Sequence, residues 1–251
     1  MRQEATAAPG TNTVDPAEIA RFAALAEGWW DPNGKFKPLH GLNPLRLGFL
    51  RERLIGHFGR DSGSLRPFEG LRLLDIGCGG GLVAEPMARL GFTVTGIDAA
   101  TETVLTARSH AEEAGLAIDY RATAAETLAA SGARFDVVLA MEIIEHVADL
   151  GAFLAAAATM VGPGGAFVAA TLNRTAKSYL LAIVGAEYVL GWLPRGTHEW
   201  RRFVRPSELA AGLRRNGLRA REIAGVTYNP IADRWSLNRD LDVNYMVFAV
   251  R

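Results

Sequence analysis

From residue 71 onward, short runs of apolar residues alternate with stretches in which apolar residues recur every three or four positions. The short runs are typical of buried strands and the longer stretches of helices. The predicted strands are LRLLDIG, FTVTGID, AIDYRA, FDVVLAM and GGAFVAATLN, and helices are predicted at 82–90, 102–114 and 150–160, with a short one before the fourth strand. This alternation predicts parallel βαβ units and a Rossmann-like, doubly wound α/β sheet.

Two later runs, LRAREIAGVTYNP and DVNYMVFAVR, predict further strands, and their short separation suggests a hairpin that adds an antiparallel edge. Before the sheet, a helical pattern runs from Asp15 to Trp30, a loop rich in proline and glycine covers 31–44, and a second helical pattern covers 45–58. We therefore expect a disordered tail (1–14), an N-terminal helical extension (15–66) and a sheet domain (67–251) with an apolar insertion at about 175–197.

A glycine-rich turn after the first predicted strand carries the clearest chemistry. Gly77, Gly79 and Gly81 form a G-x-G-x-G pattern that leads into a helix, so the backbone can approach a ligand beside the positive helix end. Asp98 closes the next strand, where a carboxylate can accept hydrogen bonds from both hydroxyls of a ribose. Together these features predict a nucleotide site.

Two residues distinguish between nucleotides. Dinucleotide folds favour a third glycine at the position that Leu82 occupies here, and Asp75 would place negative charge beside a pyrophosphate. A ligand without phosphate and with a cationic sulfonium tolerates that charge. The pattern therefore favours S-adenosylmethionine over a nicotinamide cofactor, and a nicotinamide-dependent oxidoreductase is the disfavoured alternative.

The stretch FDVVLAMEIIEHVADL places Glu142, Glu145 and His146 just after the fourth predicted strand. In a helix the three side chains would share one face. They could cap a solvated turn, transfer a proton or hold a metal ion. The carboxyl edge of an open α/β sheet is where ligands bind, so these residues are candidates for the reaction centre.

Charge and cysteine content narrow the functional class. Lys+Arg and Asp+Glu both number 27, so the chain lacks the basic surplus of a nucleic-acid-binding protein. Cys78 is the single cysteine, which rules out an intrachain disulfide and favours a reducing cytosol. The N-terminus has no signal-peptide core. The apolar run 179–194 is shorter than the roughly 20 residues of a spanning helix.

LLDIGCGGG, GID and FDVVLAMEIIEHV resemble motifs of the class I methyltransferases. WWDPNGKFKPLHGLNPLRLGFL, TLNRTAKSYLLAIVGAEYVLGWLPRGTHEW and DVNYMVF, which lie outside the generic fold, further resemble the ubiquinone biosynthesis O-methyltransferases. This resemblance spans nearly the whole chain from Asp15. It implies methylation of polyprenyl catechols at two stages, an early polyprenyl catechol and 3-demethylubiquinol, and a place in a ubiquinone-biosynthesis complex.

The resemblance implies cofactor contacts at Arg46, Gly77, Asp98 and Met141. It also implies dependence on a divalent metal, most often Mg²⁺, although an imidazole ligand suits Zn²⁺ better. We hypothesise that Glu142, Glu145 and His146 hold the ion, or that the glutamates hold it while His146 takes the phenolic proton. In the alternative interpretation the two glutamates start a helix and His146 packs against it.

The insertion carries apolar and aromatic residues, and Lys177 and Arg195 lie near its ends. We expect 175–195 to contact the membrane peripherally, at its cytoplasmic face, where a polyprenyl substrate resides; the alternative is a buried helix pair. Weaker candidates are His40 and Lys37 beside the cofactor, and Asn173 and His198 toward the acceptor. The competing functions are a methyltransferase with a soluble acceptor and a non-catalytic partner that retains the fold.

Overall fold

The computed structural model describes residues 13–181 and 199–251. The strands are β1 Arg72–Ile76, β2 Thr93–Asp98, β3 Asp119–Ala122, β4 Phe135–Met141, β5 Val161–Leu172, β6 Arg219–Asn229, β7 Arg234–Asn238 and β8 Asn244–Val250. The helices are α1 Pro16–Ala23, α2 Lys37–Phe58, α3 Ala84–Arg89, α4 Thr101–Glu113, α5 Ala125–Ala130, α6 Leu150–Met160, the short turn α7 Ala176–Ser178, and α8 Pro206–Arg215. Short 3₁₀ helices lie at Ala26–Gly28, Ile144–His146 and Trp200–Arg202.

The strands form one eight-stranded sheet in the order β3-β2-β1-β4-β5-β8-β6-β7. The first five strands run parallel, and β8, β6 and β7 continue the sheet in antiparallel pairing. The predicted α/β class, with a mostly parallel sheet and an antiparallel C-terminal strand, is confirmed. The two predicted C-terminal strands are β6 and β8, and they pair antiparallel as expected, but the prediction that they form a hairpin is wrong. β6 forms a hairpin with the intervening β7, and β8 lies inside the sheet rather than at its edge.

Apolar side chains cover both faces of the sheet. α2 packs on one face, where Phe49, Leu50 and Leu54 are fully buried. Burying each of these side chains stabilises the fold by roughly 1.5–3 kcal/mol. Arg53 of α2 also makes a bidentate pair with Glu222 of β6, at 2.8 and 3.1 Å. The N-terminal extension is therefore anchored to the sheet along α2.

Capping explains where α1 begins and α2 ends. Asp15 accepts a hydrogen bond from the backbone N–H of Ala17, and Pro16 occupies the first helical position, where its missing N–H has no cost. Gly59 ends α2 in the left-handed conformation, with φ +61°. α2 begins eight residues before the predicted start at residue 45, so most of the predicted loop 31–44 is helical from Lys37 onward.

The described part of the insertion begins with a capped turn. The Thr175 hydroxyl accepts from the Ser178 N–H, and the Ser178 hydroxyl accepts from the Thr175 N–H. Tyr179, Leu180 and Leu181 then extend into solvent with 46%, 59% and 54% of their surface exposed. The remainder of the predicted insertion, 182–197, lies outside the described residues. None of the helices within 13–181 and 199–251 is long and apolar enough to cross a membrane.

Thr13 and Val14, which we assign from the sequence to the disordered tail, have defined positions. Thr13 is buried, its hydroxyl donates to Glu126, and its carbonyl accepts from Ala148 N–H at 2.8 Å. Val14 lines the cavity described below. These two residues therefore belong to the N-terminal extension. Residues 1–12 lie outside the described residues.

Candidate active site

The glycine loop, Gly77 to Leu82, connects β1 to α3 at the carboxyl edge of the sheet. Gly77 and Gly79 have φ values of +70° and +53°, which side-chain-bearing residues rarely adopt. The Gly79 N–H donates to Asp98 Oδ2 at 3.1 Å, and the Ala100 N–H donates to Oδ1 at 2.9 Å. Burial raises the pKa of Asp98, while these backbone donors favour its ionised form. The carboxylate is thus oriented by the loop that it faces.

A cavity of about 210 Å³ opens beside this loop. Its walls come from the ends of β1, β2 and β4, from the turn before α5 and from the N-terminal extension. The sequence-predicted residues that line it are Arg46, Gly77, Asp98, Met141, Glu142, Glu145 and His146. One cavity is therefore lined by the four predicted cofactor contacts and the three predicted metal or proton-transfer residues.

Arg46 reaches this cavity from α2 and is 3% exposed. Its Nη2 donates to the Leu39 carbonyl at 3.2 Å, whereas its buried Nε has no hydrogen-bond partner. Burial lowers the pKa of Arg46, and the nearby charges of Glu142 and Asp75 oppose that effect. A buried guanidinium with an unpaired donor fits a ligand carboxylate, because leaving that donor unsatisfied is costly.

Asp75, at the end of β1, is the acidic counterpart of Arg46. Burial raises its pKa to about 7, Arg46 counteracts the shift, and Asp98 reinforces it. An ammonium or sulfonium group near Asp75 would favour the ionised carboxylate. Arg46 and Asp75 together suit a zwitterionic amino-acid moiety such as that of S-adenosylmethionine, and Met141, 6% exposed, adds an apolar wall.

Glu142 does not share a helical face with Glu145 and His146. It precedes the 3₁₀ helix Ile144–His146 and has a φ of +55°, a left-handed conformation uncommon for a side-chain-bearing residue. Its N–H donates to the Ala170 carbonyl at 2.9 Å, which continues the β4–β5 pairing by one residue. Burial, and then the neighbouring Glu145 carboxylate, raises the pKa of Glu142 to about 7.

Glu145 is turned away toward β5. Its Oε2 accepts a 2.6 Å hydrogen bond from the Thr171 hydroxyl, and the residue is 3% exposed. His146 has a different partner, since its Nδ1 lies 2.8 Å from Glu18 Oε2 of α1. The Phe22 ring packs edge-on against the imidazole at 5.3 Å between centroids. The N-terminal extension therefore holds His146.

The carboxylate of Glu18 is the functional group that the sequence interpretation missed. Burial raises its pKa, but the hydrogen bond and charge of His146 and the charge of Arg21 together lower it below the usual range. Arg21 Nη2 lies 2.5 Å from Glu18 Oε1. The spacing of Glu18 and Phe22, four residues apart, was a usable signal that one face of α1 combines a carboxylate with an aromatic ring. Nothing in the sequence, however, indicated His146 as their partner.

The predicted metal ligands do not converge. Across 13–181 and 199–251, no group of three His, Cys, Asp or Glu side chains has the geometry to hold a metal ion. The Glu145 carboxylate is hydrogen-bonded to Thr171, and the His146 imidazole is hydrogen-bonded to Glu18. Glu142 precedes the 3₁₀ helix, so it cannot share a helical face with the other two. The donor set Glu142, Glu145 and His146 thus does not fit a preformed metal site in this arrangement, and we assign no step to a metal ion there.

The weaker candidates lie elsewhere or have structural partners. His40 Nε2 is 2.8 Å from the Trp29 carbonyl, and Lys37 is an exposed residue at the start of α2. Asn173 donates to the Leu241 carbonyl at 2.7 Å and so fastens the end of β5 to the 241–243 segment rather than facing the cavity. His198 lies outside the described residues.

Comparison with known proteins identifies relatives of this chain. A family model described as a methyltransferase domain matches residues 49–223. The chain is 60% identical over 240 residues to the ubiquinone biosynthesis O-methyltransferase of Parvibaculum lavamentivorans, covering 96% of this chain and 95% of that protein. It is 59% identical over 239 residues to the protein of the same name from Paramagnetospirillum magneticum, with 95% and 96% covered.

Among solved structures, the fold is similar to that of magnesium protoporphyrin IX methyltransferase from Synechocystis PCC 6803 with bound SAH. The TM-score is 0.64 at 17% identity, with 94% of this chain and 93% of that chain covered. At that identity the likeness establishes the fold alone. The family follows from the close relatives and the matched domain.

Proposed function

This chain belongs to the ubiquinone biosynthesis O-methyltransferases, and we propose that it transfers the methyl group of S-adenosylmethionine to a catechol hydroxyl of polyprenyl intermediates. The proposed acceptors are the early polyprenyl catechol and 3-demethylubiquinol. The observation that carries the proposal is that the glycine loop, Asp98, Arg46 and the Glu18–His146 pair all line one cavity. The glycine loop, Asp98 and Arg46 suit a nucleoside with an amino-acid tail, and the Glu18–His146 pair suits a hydroxyl that must lose a proton.

The cofactor end is assigned to the sheet edge. Asp98 accepts the ribose hydroxyls, Arg46 binds the methionine carboxylate, and Asp75 lies beside the cationic groups. Gly77 lines the cavity and has to be glycine, because its φ is +70° and a Cβ at this position would lie 2.8 Å from the Ile143 side chain. Met141 packs against the adenosine. These roles support transfer by alignment, in which the sulfonium methyl is held in line with the attacking oxygen.

The acceptor end lies between α1 and the segment 142–147. A phenol with an ordinary pKa of about 10 is mostly protonated at neutral pH, so transfer benefits from a base. His146 accepts the phenolic proton, and Glu18, bound at Nδ1, orients the ring and stabilises the imidazolium. The products are S-adenosylhomocysteine and the methyl ether. Ile19, Phe22 and Val147 offer apolar walls to the acceptor ring and prenyl chain.

We test this function by methyl transfer from labelled S-adenosylmethionine to a short-chain polyprenyl catechol, with His146→Ala and His146→Gln beside the wild type. Transfer that falls sharply in both variants at unchanged cofactor affinity supports the assignment. Wild-type turnover in both variants contradicts the role of His146, and no transfer by the wild type contradicts the acceptor class. Dependence on a divalent cation stays a prediction, tested by adding chelator and then restoring Mg²⁺ or Zn²⁺.

We further propose that the insertion contacts the membrane in which a polyprenyl substrate resides, placing the protein at the cytoplasmic face. The exposed Tyr179, Leu180 and Leu181 support this, since apolar side chains of this kind insert at headgroup level. Liposome co-sedimentation should weaken in Leu180→Ser/Leu181→Ser. The matched control is Leu65→Ser, which changes a leucine that is 89% exposed in the segment before β1, outside the insertion. Equal co-sedimentation of both variants would contradict the proposal.

A further inference from the structure

Trp30 joins the N-terminal extension to the glycine loop. Its indole Nε1 donates to the Gly80 carbonyl at 2.9 Å, although 50 residues separate the two. Its ring stacks on the imidazole of His110, with 3.5 Å between centroids and 5° between the planes. The same side chain thus touches the loop with its polar edge and α4 with its face.

The stacking partner is itself fixed. His110 Nδ1 lies 2.6 Å from Glu85 Oε1, and Arg89 Nη2 lies 3.1 Å from Glu85 Oε2. Glu85 is fully buried in α3, the helix that begins directly after the glycine loop, and its N–H donates to the Gly81 carbonyl. A fully buried carboxylate held by two partners forms a rigid support, so the plane on which Trp30 rests is set by the methyltransferase domain.

Two neighbours of Trp30 act on the same loop. Trp29 covers both Gly79 and Gly80: a Cβ on Gly79 would lie 2.5 Å from the indole ring, and a Cβ on Gly80 would lie 2.5 Å from Trp29 Cβ and 2.7 Å from the ring. The Asn43 side chain of α2 donates to the Leu82 carbonyl at 2.7 Å. Side chains from the N-terminal extension therefore engage the loop from Gly79 to Leu82, the same loop whose Gly79 N–H binds Asp98.

We propose that Trp30 is a positioning residue for the cofactor, which acts through the Gly80 carbonyl to hold the glycine loop in its binding conformation. The inference rests on the proposed binding of S-adenosylmethionine at this loop. Trp30 does not line the cavity, so its effect passes through the backbone of the loop. Because the loop orients Asp98, a loop released from Trp30 binds the cofactor less tightly while the transfer step, at saturating cofactor, proceeds as before.

The N-terminal extension does not depend on Trp30 for its attachment. Phe49, Leu50 and Leu54 are fully buried under the sheet, and Arg53 is paired with Glu222. Removing the indole should therefore leave α2 in place and alter the loop. This separates a positioning role, visible in cofactor affinity, from a purely structural one, visible in the melting temperature.

The experiment compares Trp30→Leu and Trp30→Phe by calorimetric titration with S-adenosylmethionine and by steady-state methyl transfer. Phenylalanine keeps a ring on His110 and loses the hydrogen bond, which should raise Kd about three- to tenfold. Leucine loses both contacts and should raise Kd at least about tenfold. In both variants KM for the cofactor should follow Kd while kcat stays within about twofold.

The matched control is Trp235→Leu, because Trp235 of β7 packs over Gly41 of α2, apart from the glycine loop. It should lower the melting temperature and leave Kd at the wild-type value. Wild-type Kd in both Trp30 variants would overturn the inference, and if Trp30→Leu does not fold, Trp30→Phe decides alone. A wild-type protein that binds no S-adenosylmethionine would instead overturn the proposed function, and the inference with it.

Discussion

Gly80→Ala tests the contact between Trp29 and the glycine loop. Gly80, unlike Gly79, does not have a positive φ, so alanine can adopt its backbone conformation without strain. The added Cβ would lie 2.5 Å from Trp29 Cβ and 2.7 Å from its Cγ, about 0.9 Å short of an ordinary 3.4 Å contact. Trp29 has little room to retreat, since it is 8% exposed and stacks on Phe36 at 3.8 Å between centroids.

Overpacking of this kind costs about 1–3 kcal/mol in the free energy of unfolding. Gly56→Ala is the matched control, because a Cβ there, inside α2, meets nothing within 4 Å. That control should gain about 0.5–1 kcal/mol from the higher helix propensity of alanine. Urea denaturation of both variants measures the difference, which we expect to be about 1.5–4 kcal/mol.

The double variant Trp29→Gly/Gly80→Ala decides whether the collision is the cause. The three atoms nearest to the added methyl all belong to the Trp29 side chain, its Cβ included, so only glycine at position 29 removes them and Gly80→Ala should then cost almost nothing. Two results would refute the reasoning. One is a Gly80→Ala variant as stable as the wild type; the other is an equal cost of Gly80→Ala with Trp29 and with glycine at position 29.

Two further predictions concern the site, and a third concerns the attachment of α2 to the sheet. Glu18→Gln should lower kcat on the order of 10- to 100-fold, with little change in KM for S-adenosylmethionine, because His146 loses its charged partner. An unchanged kcat would show that the Glu18–His146 pair has no role in proton transfer. The pKa of Asp75 is raised to about 7, so its carboxyl is protonated at lower pH, and titration calorimetry should show Kd for the cationic cofactor falling as pH rises through 7. The dependence of Kd on pH should disappear in Asp75→Asn. In the unliganded protein the Asp75 carboxyl stabilises the folded state at low pH, where it is protonated, and this stabilisation is lost as pH rises through 7. Arg53→Met should lower the free energy of unfolding by about 1 kcal/mol in thermal denaturation, since it breaks a half-exposed bidentate pair with Glu222; an equal loss in a Glu222→Gln background would show that the pair is not the cause.

The parallel half of the sheet was predictable because its signals are local. β4 and α6 have the predicted bounds. The apolar run of β4 and the helical periodicity of α6 are each bounded by turn residues, which determine where the element starts and ends. β7 escaped prediction because RWSLN is short and half-buried along its length. α2 escaped in part because Pro38 and Pro44 suggested a loop, whereas the first proline lies in the first turn and the second is accommodated within the helix.

The sequence indicated several of the residues that line the cavity, but neither Glu18 nor the arrangement of the group. Arg46, Asp98 and Glu142 line one cavity as expected. The helical spacing assumed for Glu142 and His146 failed because Glu142 has a positive φ, a backbone choice set by its bond to Ala170 on the neighbouring strand. The contact between Glu18 and His146 spans 128 residues, and tertiary contacts of that range leave no periodic trace in a sequence.

The position of β8 has a consequence for biosynthesis. β8 lies between β5 and β6 and pairs with both, although it comes after them in the chain. Until residue 250 has left the ribosome, β5 presents an open apolar edge that includes Phe167 and Val168, both fully buried in the folded protein. A nascent chain that stalls or terminates before β8 therefore exposes a strand edge prone to aggregation. Synthesis of β8, rather than synthesis of the glycine loop, sets the moment at which the sheet can close.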